Sequence, residues 1–552
     1  MDKEGKSKWT KILCIIMTAL LIAGLLAGCA DKPETTPVVS GTEAPDEPAV
    51  SDADQAEATP AGLEYPMLCE EPVELSWFYP LGSTPLTWIE DYSASPTIQE
   101  LERRTNVRIS WYNCYVDFCE EKYNLMLVSD EMTDIITHRF VDMTAYVTGD
   151  RAITDGYYLR LNELIDDYMP NYKALLESDY DAYVETLTDT GNIWAFYKYA
   201  DPAGYYTPDC SGVAYRRDIA ASCGLTETPE TIEEWEEFFD VLIENGYETP
   251  YLITHNGLNP SEIFNSAFDV DHSFYQVDGV VKYGPAEDGY YEFVKLMNKW
   301  INKGYAYRDF YSTDAWTAVS VGDVVVSWMT SYFIGDTAAA WMGPDFFIEP
   351  APDPRLTKDQ TIHLHTALTR MSDPTSITTA CENVEIACRL IDYLYSDEGI
   401  TLCNYGVEGV TYNVVNGEPD YTDYMFHYTE TSMLEETMEA FLFIVTTRDL
   451  SLKNKYSDKN RWASSIMFRN TDNAYELPAT LNMTDEENSE FSAIMTDVET
   501  FVAESIVSFI LGDKPLEKWD DYIQTLTNIK LDRAIEIKQA SYDRYLAGKA
   551  GR

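Results

Sequence analysis

Between residues 73 and 137 apolar and polar residues follow a rhythm that few folds satisfy. Val73-Glu-Leu-Ser-Trp-Phe-Tyr79 reads as a buried strand, residues 80–85 as a loop and Thr97–Arg104 as a helix. Val107-Arg-Ile-Ser-Trp-Tyr112 reads as a second strand, residues 123–128 as a helix and Asp134-Ile-Ile-Thr137 as a short third strand. Strands alternating with helices at this spacing argue for a parallel sheet, because a parallel partner is reached only through a crossover, usually a helix. The style repeats further on: Val213–Arg216 is strand-like, Thr231–Ile243 an amphipathic helix and Tyr251–Thr254 strand-like again, so a second α/β lobe is expected. Gln276–Tyr283 is a hairpin by its Asp278-Gly279 turn, and residues 290–303 return to a helix. Residues 384–395, 486–510 and 515–545 are helical, with a break at Gly512-Asp513, so the chain ends in a helical extension.

The N-terminus has a different grammar. Lys3, Lys6, Lys8 and Lys11 precede an uncharged apolar stretch from Ile12 to Ala27, the pattern of an export signal. That stretch is short for a membrane span of about 20 residues, and it ends in Leu26-Ala27-Gly28-Cys29, the lipobox pattern of bacterial lipoprotein signals. Residues 1–28 are therefore expected to be removed, leaving Cys29 as the lipid-bearing first residue. Residues 29–66 are rich in Pro, Thr, Ala, Ser, Asp and Glu, cannot bury enough apolar surface to offset ordering, and read as a disordered acidic tether.

The formal charge of −55 is spread along the chain, which excludes nucleic acid as a partner and describes a solvated surface. Apart from Cys14 and Cys29, the ten cysteines show no metal-ligand spacing. Most should be buried free thiols, with room for one bridge, and Cys114 with Cys119 and Cys210 with Cys223 are the pairs to consider. No nucleophile elbow, zinc-protease, phosphate-loop or dinucleotide motif occurs, and no cofactor is implied. With 40 tyrosines and 12 tryptophans, the chain is rich in flat rings with a polar tip, suited to holding a polar, ring-shaped solute. Ligands of open α/β sheets sit at strand ends. Tyr79 ends the first strand and Trp88 follows its loop; Trp111 and Tyr112 end the second, with Tyr115 and Asp117 beyond. Alternation turns Trp111 and Tyr112 to opposite faces, so at most one of them reaches a ligand.

Two runs carry a family resemblance. Ile391-Asp-Tyr-Leu-Tyr-Ser-Asp-Glu-Gly399 leads into Asn404-Tyr-Gly-Val-Glu-Gly-Val-Thr-Tyr412, and Phe509-Ile-Leu-Gly512 is followed by Trp519-Asp-Asp-Tyr522 and Ala540–Tyr545. Together they resemble the extracellular solute-binding proteins, family 1, of bacterial ABC sugar importers, in their longer lipoprotein form. The resemblance implies a two-lobed, type II periplasmic-binding-protein-like fold, with a cleft between α/β lobes joined by hinge segments. It places residues 67–200 and 328–400 in one lobe and residues 201–327 and 401–552 in the other, with crossings near 198–206, 325–332 and 399–404. It implies a monomeric binding subunit, not an enzyme, that captures a carbohydrate, and in particular an oligosaccharide, for an ABC permease at the outer face of the cytoplasmic membrane. A peptide or other solute, a ligand-sensing accessory of a membrane receptor, and an exported glycosidase are the alternatives. Candidate ligand contacts implied at the crossings are Trp328 and Tyr332, then Tyr405, Glu408 and Tyr412 in the signature run, and Trp316 ahead of the second crossing. Some longer relatives carry a calcium loop. Asp269-Val-Asp271-His-Ser273 starts like one, but Val280 stands at the twelfth position, so no metal is assigned.

Overall fold

The computed structural model describes residues 67–81, 92–129, 131–139, 149–188, 190–200, 211–253, 255–256, 259–260, 264–330, 333–334, 342–365, 370–426, 438, 442, 445–449, 451–456 and 459–551. Its larger sheet has five strands in the order Val107–Tyr115, Val73–Leu81, Ile135–Thr137, Met371–Ile377, Phe196–Tyr199. The first three are parallel, as the alternation of strands and helices requires, and Met371–Ile377 runs antiparallel to both of its neighbours. Trp77, Leu75 and Ile109 from these strands, with Ile98 and Leu101 from helix Pro96–Thr105, form the middle of one apolar core.

A second sheet of three strands is centred on Ser211–Arg216, flanked antiparallel by Val326–Thr330 and Ile348–Pro350. Helix Ile232–Glu244 packs against this core through Trp235, Phe238, Phe239 and Leu242, the spacing that puts apolar residues on one helical face. Each such burial is worth about 1.5–3 kcal/mol. Its start is held by a capping box: Thr231 Oγ1 accepts from the Glu234 N–H at 3.2 Å, and Glu234 Oε2 accepts from the Thr231 N–H at 3.1 Å. The hairpin Phe274–Val277/Val280–Tyr283 turns through Asp278 and Gly279, both at positive φ.

Three C-terminal helices, Asp485–Leu511, Trp519–Asn528 and Leu531–Ala550, complete the chain; Val498, Val502, Ile506, Phe509 and Tyr522 bury into the second core. The segment read as one helix over 515–545 is in fact two. Lys530, at φ 71°, takes the left-handed conformation between them.

The two cores also relocate the expected lobe boundaries. Phe346, Ile348, Ala351 and Leu364, assigned by the resemblance to the first lobe, belong to the second core, because Ile348–Pro350 is a strand of the second sheet. Leu402, Tyr412, Met425, Val445 and Leu452, assigned to the second lobe, pack into the first core. The later crossings therefore fall between Leu364 and Met371 and between Leu452 and Ala463, rather than near 325–332 and 399–404; the first falls between Tyr199 and Val213. Among the described residues no helix is long and apolar enough to cross a membrane.

Candidate functional site

Antiparallel pairing places Trp328 opposite Val213 and Thr330 opposite Ser211, at the edge of the second sheet where the chain arrives from the first core. A pocket open to solvent lies at this edge, lined by Ser211, Asn265, Asp271, Trp328, Asp353 and His365 among others. Trp328 is half-buried, with apolar packing beneath it.

The polar lining is organised around His365. Its Nδ1 lies 2.6 Å from Asp353 Oδ2 and its Nε2 lies 3.0 Å from the Ser211 carbonyl oxygen. A carboxylate and a carbonyl only accept, so both ring nitrogens donate and the ring is an imidazolium. Burial works against that charge, but the Asp353 carboxylate and the two hydrogen bonds outweigh it and hold the imidazole above its ordinary range. The backbone N–H of His365 donates to Glu476 Oε1 at 3.0 Å, and burial pushes the Glu476 carboxyl up to about 7. Asn265, 3% exposed, spends its Nδ2 on the Val270 carbonyl at 2.8 Å, while its Oδ1 accepts no hydrogen bond among the described residues. A buried amide oxygen without a donor is costly, on the order of 1–3 kcal/mol. The cavity therefore joins an indole to carboxylates and an unused acceptor, a lining that suits a ligand rich in hydroxyl donors.

A second polar cluster lies at the far edge of the larger sheet. Lys198, in strand Phe196–Tyr199, is 2.5 Å from Asp373, which stands at φ 49° where the pairing of the two strands is irregular. Burial opposes the Asp373 charge, yet Lys198, with Arg139 and Arg448 close enough to act on it, holds its carboxyl below the ordinary range.

The other sequence candidates are scattered. Tyr79, expected to face a ligand, is fully buried, its ring packed into an aromatic cluster 5.0 Å from Tyr92 and 5.8 Å from Trp111. Trp111 joins that cluster while Tyr112 is exposed on the opposite face, as alternation requires. Asp117 lies in helix Val116–Ser129, its side chain outside the described residues; Trp88, Tyr332 and Cys29 are also outside them. Trp316 stacks on Phe333 at 4.4 Å, close in sequence to the end of strand Val326–Thr330.

The signature run is stitched to a neighbouring segment. The Tyr405 hydroxyl donates to Asp449 and lies 2.9 Å from Ser451 Oγ; Asn404 bonds the Thr447 carbonyl at 2.9 Å and the Asp449 N–H at 2.9 Å. Tyr412 is buried, its ring edge-on to Tyr405 at 5.8 Å, and Glu408 is exposed on the turn. Of the sequence candidates among the described residues, Trp328 alone lines the cavity. Asn265, Asp353 and His365 were missed. The one trace of them in sequence is Ile362-His-Leu-His365, where two histidines alternate with apolar residues.

Comparison with known proteins agrees with this architecture. The chain is 23% identical over 507 residues to the fructooligosaccharide ABC transporter substrate-binding protein FusA of Streptococcus pneumoniae serotype 4, covering 85% of this chain and 90% of FusA. The crystal structure of the alginate-binding protein AlgQ2 without calcium ion superposes with a TM-score of 0.64 at 20% identity, over 87% of this chain and all of AlgQ2. An HMO-binding, ABC-transporter-associated solute-binding protein from Bifidobacterium longum infantis superposes with a TM-score of 0.65 at 17% identity, over 86% of this chain and 99% of its own. The fold is that of the type II periplasmic binding proteins. Residues 140–401 match the profile of the bacterial extracellular solute-binding proteins.

Proposed function

We propose that this chain binds an oligosaccharide between its two lobes outside the cytoplasmic membrane and passes it, uncleaved, to an ABC permease. Lipid on Cys29 holds it to the outer face of that membrane, residues 29–66 act as the tether, and the folded body works as a monomer. The observation that carries the reading is the cavity beside Trp328. Its indole offers a flat apolar face to the C–H side of a sugar ring, and Asn265 Oδ1, which accepts no hydrogen bond among the described residues, is an acceptor for a sugar hydroxyl. Tyr332, just past the strand that bears Trp328, and Trp316 are further candidate contacts; so is Asp117 on the other lobe. Support for the ligand class comes from FusA, a fructooligosaccharide ABC transporter substrate-binding protein to which this chain is 23% identical. Contacts from two lobes exist together only in the closed form, so binding shifts the equilibrium towards closure by the difference in affinity, and the permease reads the closed shape.

Calorimetric titration with the oligosaccharide that binds best tests the role of Trp328. Trp328→Ala is expected to weaken binding by about 30-fold, corresponding to about 2 kcal/mol, while Trp328→Phe keeps most of the affinity. Unchanged affinity in Trp328→Ala would move the ligand elsewhere.

A further inference from the structure

We propose that Cys114 and Cys119 form an intramolecular disulfide in the exported protein. Cys114 sits near the end of strand Val107–Tyr115, and Cys119 in the first turn of helix Val116–Ser129. Their Sγ atoms are 2.7 Å apart, well inside the contact distance of two unbonded sulfurs and a small shift from the roughly 2.05 Å of a disulfide bond. Both side chains are buried, at 2% and 0% exposure, so nothing but protein surrounds the pair. No third metal-ligating side chain joins them, since among the described residues no group of three His, Cys, Asp or Glu could hold a metal.

The other buried cysteines contrast with this pair. Apolar burial pushes the Cys381, Cys388 and Cys403 thiols up to about 12, which makes them inert packing residues. At Cys114 the thiol of Cys119 lowers the pKa against the effect of burial, and Lys122 on the same helix lowers it further.

The chemistry needs an oxidant, and the class that fits is an extracytoplasmic thiol–disulfide oxidoreductase in its disulfide form. The thiolate of one of the two cysteines attacks one sulfur of the oxidant's disulfide and expels the other as a thiolate. The thiolate of the second cysteine then attacks the first cysteine's sulfur in the mixed disulfide and releases the oxidant as a dithiol. Two cysteine thiols give up two electrons and two protons, and the oxidant gains them. Both sulfurs are enclosed once the lobe is folded, so the exchange precedes packing of the helix.

The bridge ties an edge strand to the helix that follows it. Among the described residues strand Val107–Tyr115 pairs on one side only, with Val73–Leu81, and the two cysteines share a small core with Phe78, Tyr123, Ile136 and Tyr158. Closing the bridge fixes the turn carrying Tyr115 and Asp117. The inference depends on export and is independent of which solute is bound.

Mass analysis decides it, because one tryptic peptide, Ile109–Lys122, contains both cysteines and no other. The full chain is purified from membranes, denatured without reductant, alkylated with iodoacetamide and digested. The peptide is expected two hydrogens lighter than its reduced form and unlabelled, while Cys69 and Cys223 carry label. In parallel, the reduced, denatured chain is refolded in a glutathione redox buffer, where the same linked peptide should form without any export machinery. Reductant should lower the melting temperature of the wild type and leave a C114S/C119S variant unmoved. A doubly alkylated peptide after refolding in that buffer, or equal responses of wild type and double variant to reductant, would overturn the assignment.

Discussion

Asp353→Ala is expected to cost about 3–5 kcal/mol of folding stability, because it strips the partner from a buried charge. The Asp353 and His365 side chains are 6% and 5% exposed and 2.6 Å apart, and the other ring nitrogen donates to a carbonyl that carries no charge. Without the carboxylate, the ring either stays charged in a low-dielectric setting or gives up a proton. The pH dependence has a definite sign. In the wild type the folded-state pKa of His365 is raised, so the stabilisation is fully present below the unfolded histidine value of about 6.5 and is lost as pH rises through the folded value. The deficit of Asp353→Ala should therefore be largest in acid and shrink in base. Urea unfolding of both proteins on either side of that range checks it; a deficit independent of pH would mean that His365 is neutral in the native protein.

Gly406→Ala should be nearly as damaging, at about 3–5 kcal/mol. Gly406 ends helix Asp397–Tyr405 at φ 85° and ψ −134°, a conformation that costs a residue with a side chain about 1–3 kcal/mol. An added Cβ would also lie 2.2 Å from Thr411 Oγ1. That hydroxyl donates to the Tyr405 carbonyl at 2.7 Å and accepts from the Val407 N–H at 2.7 Å, so displacing it breaks two hydrogen bonds worth about 1 kcal/mol each. Gly409 supplies the contrast. It too has positive φ, at 83°, but nothing lies within 4 Å of an added Cβ, and Gly409→Ala should cost about 1 kcal/mol. Thermal unfolding of the two variants side by side measures the difference, and equal losses would show that the Thr411 contact carries no weight.

These two glycines show what the sequence could and could not reveal. Local pattern located the parallel strands, the amphipathic helix read over Thr231–Ile243, and the Asp278-Gly279 hairpin, because each depends on residues within a few positions of one another. It marked the 404–412 run as distinctive without saying why. The structure supplies the reason in long-range bonds from Asn404 and Tyr405 to residues 447–451, which no local pattern contains. The lobe boundaries failed for the same cause: strand Ile348–Pro350 is only three residues long, too short to read, yet its pairing with Ser211–Arg216 carries its neighbours into the second core. At the cavity, Trp328 was legible as an aromatic at a strand end. Asn265, Asp353 and His365 come from separate segments, and their convergence is a property of the fold alone.

The central claim is that the protein holds an intact oligosaccharide. The direct measurement is titration of the body from residue 65 onwards with kestose, alginate oligosaccharides, human milk oligosaccharides and short peptides, with chromatography of each mixture afterwards. Saturable one-to-one binding of one glycan class, recovered uncleaved, and a melting temperature that rises with its concentration are the results the account predicts; about 2.7 kcal/mol of stabilisation is expected at a hundred times the dissociation constant. Binding confined to peptides, or cleavage of the glycan during the titration, would contradict it.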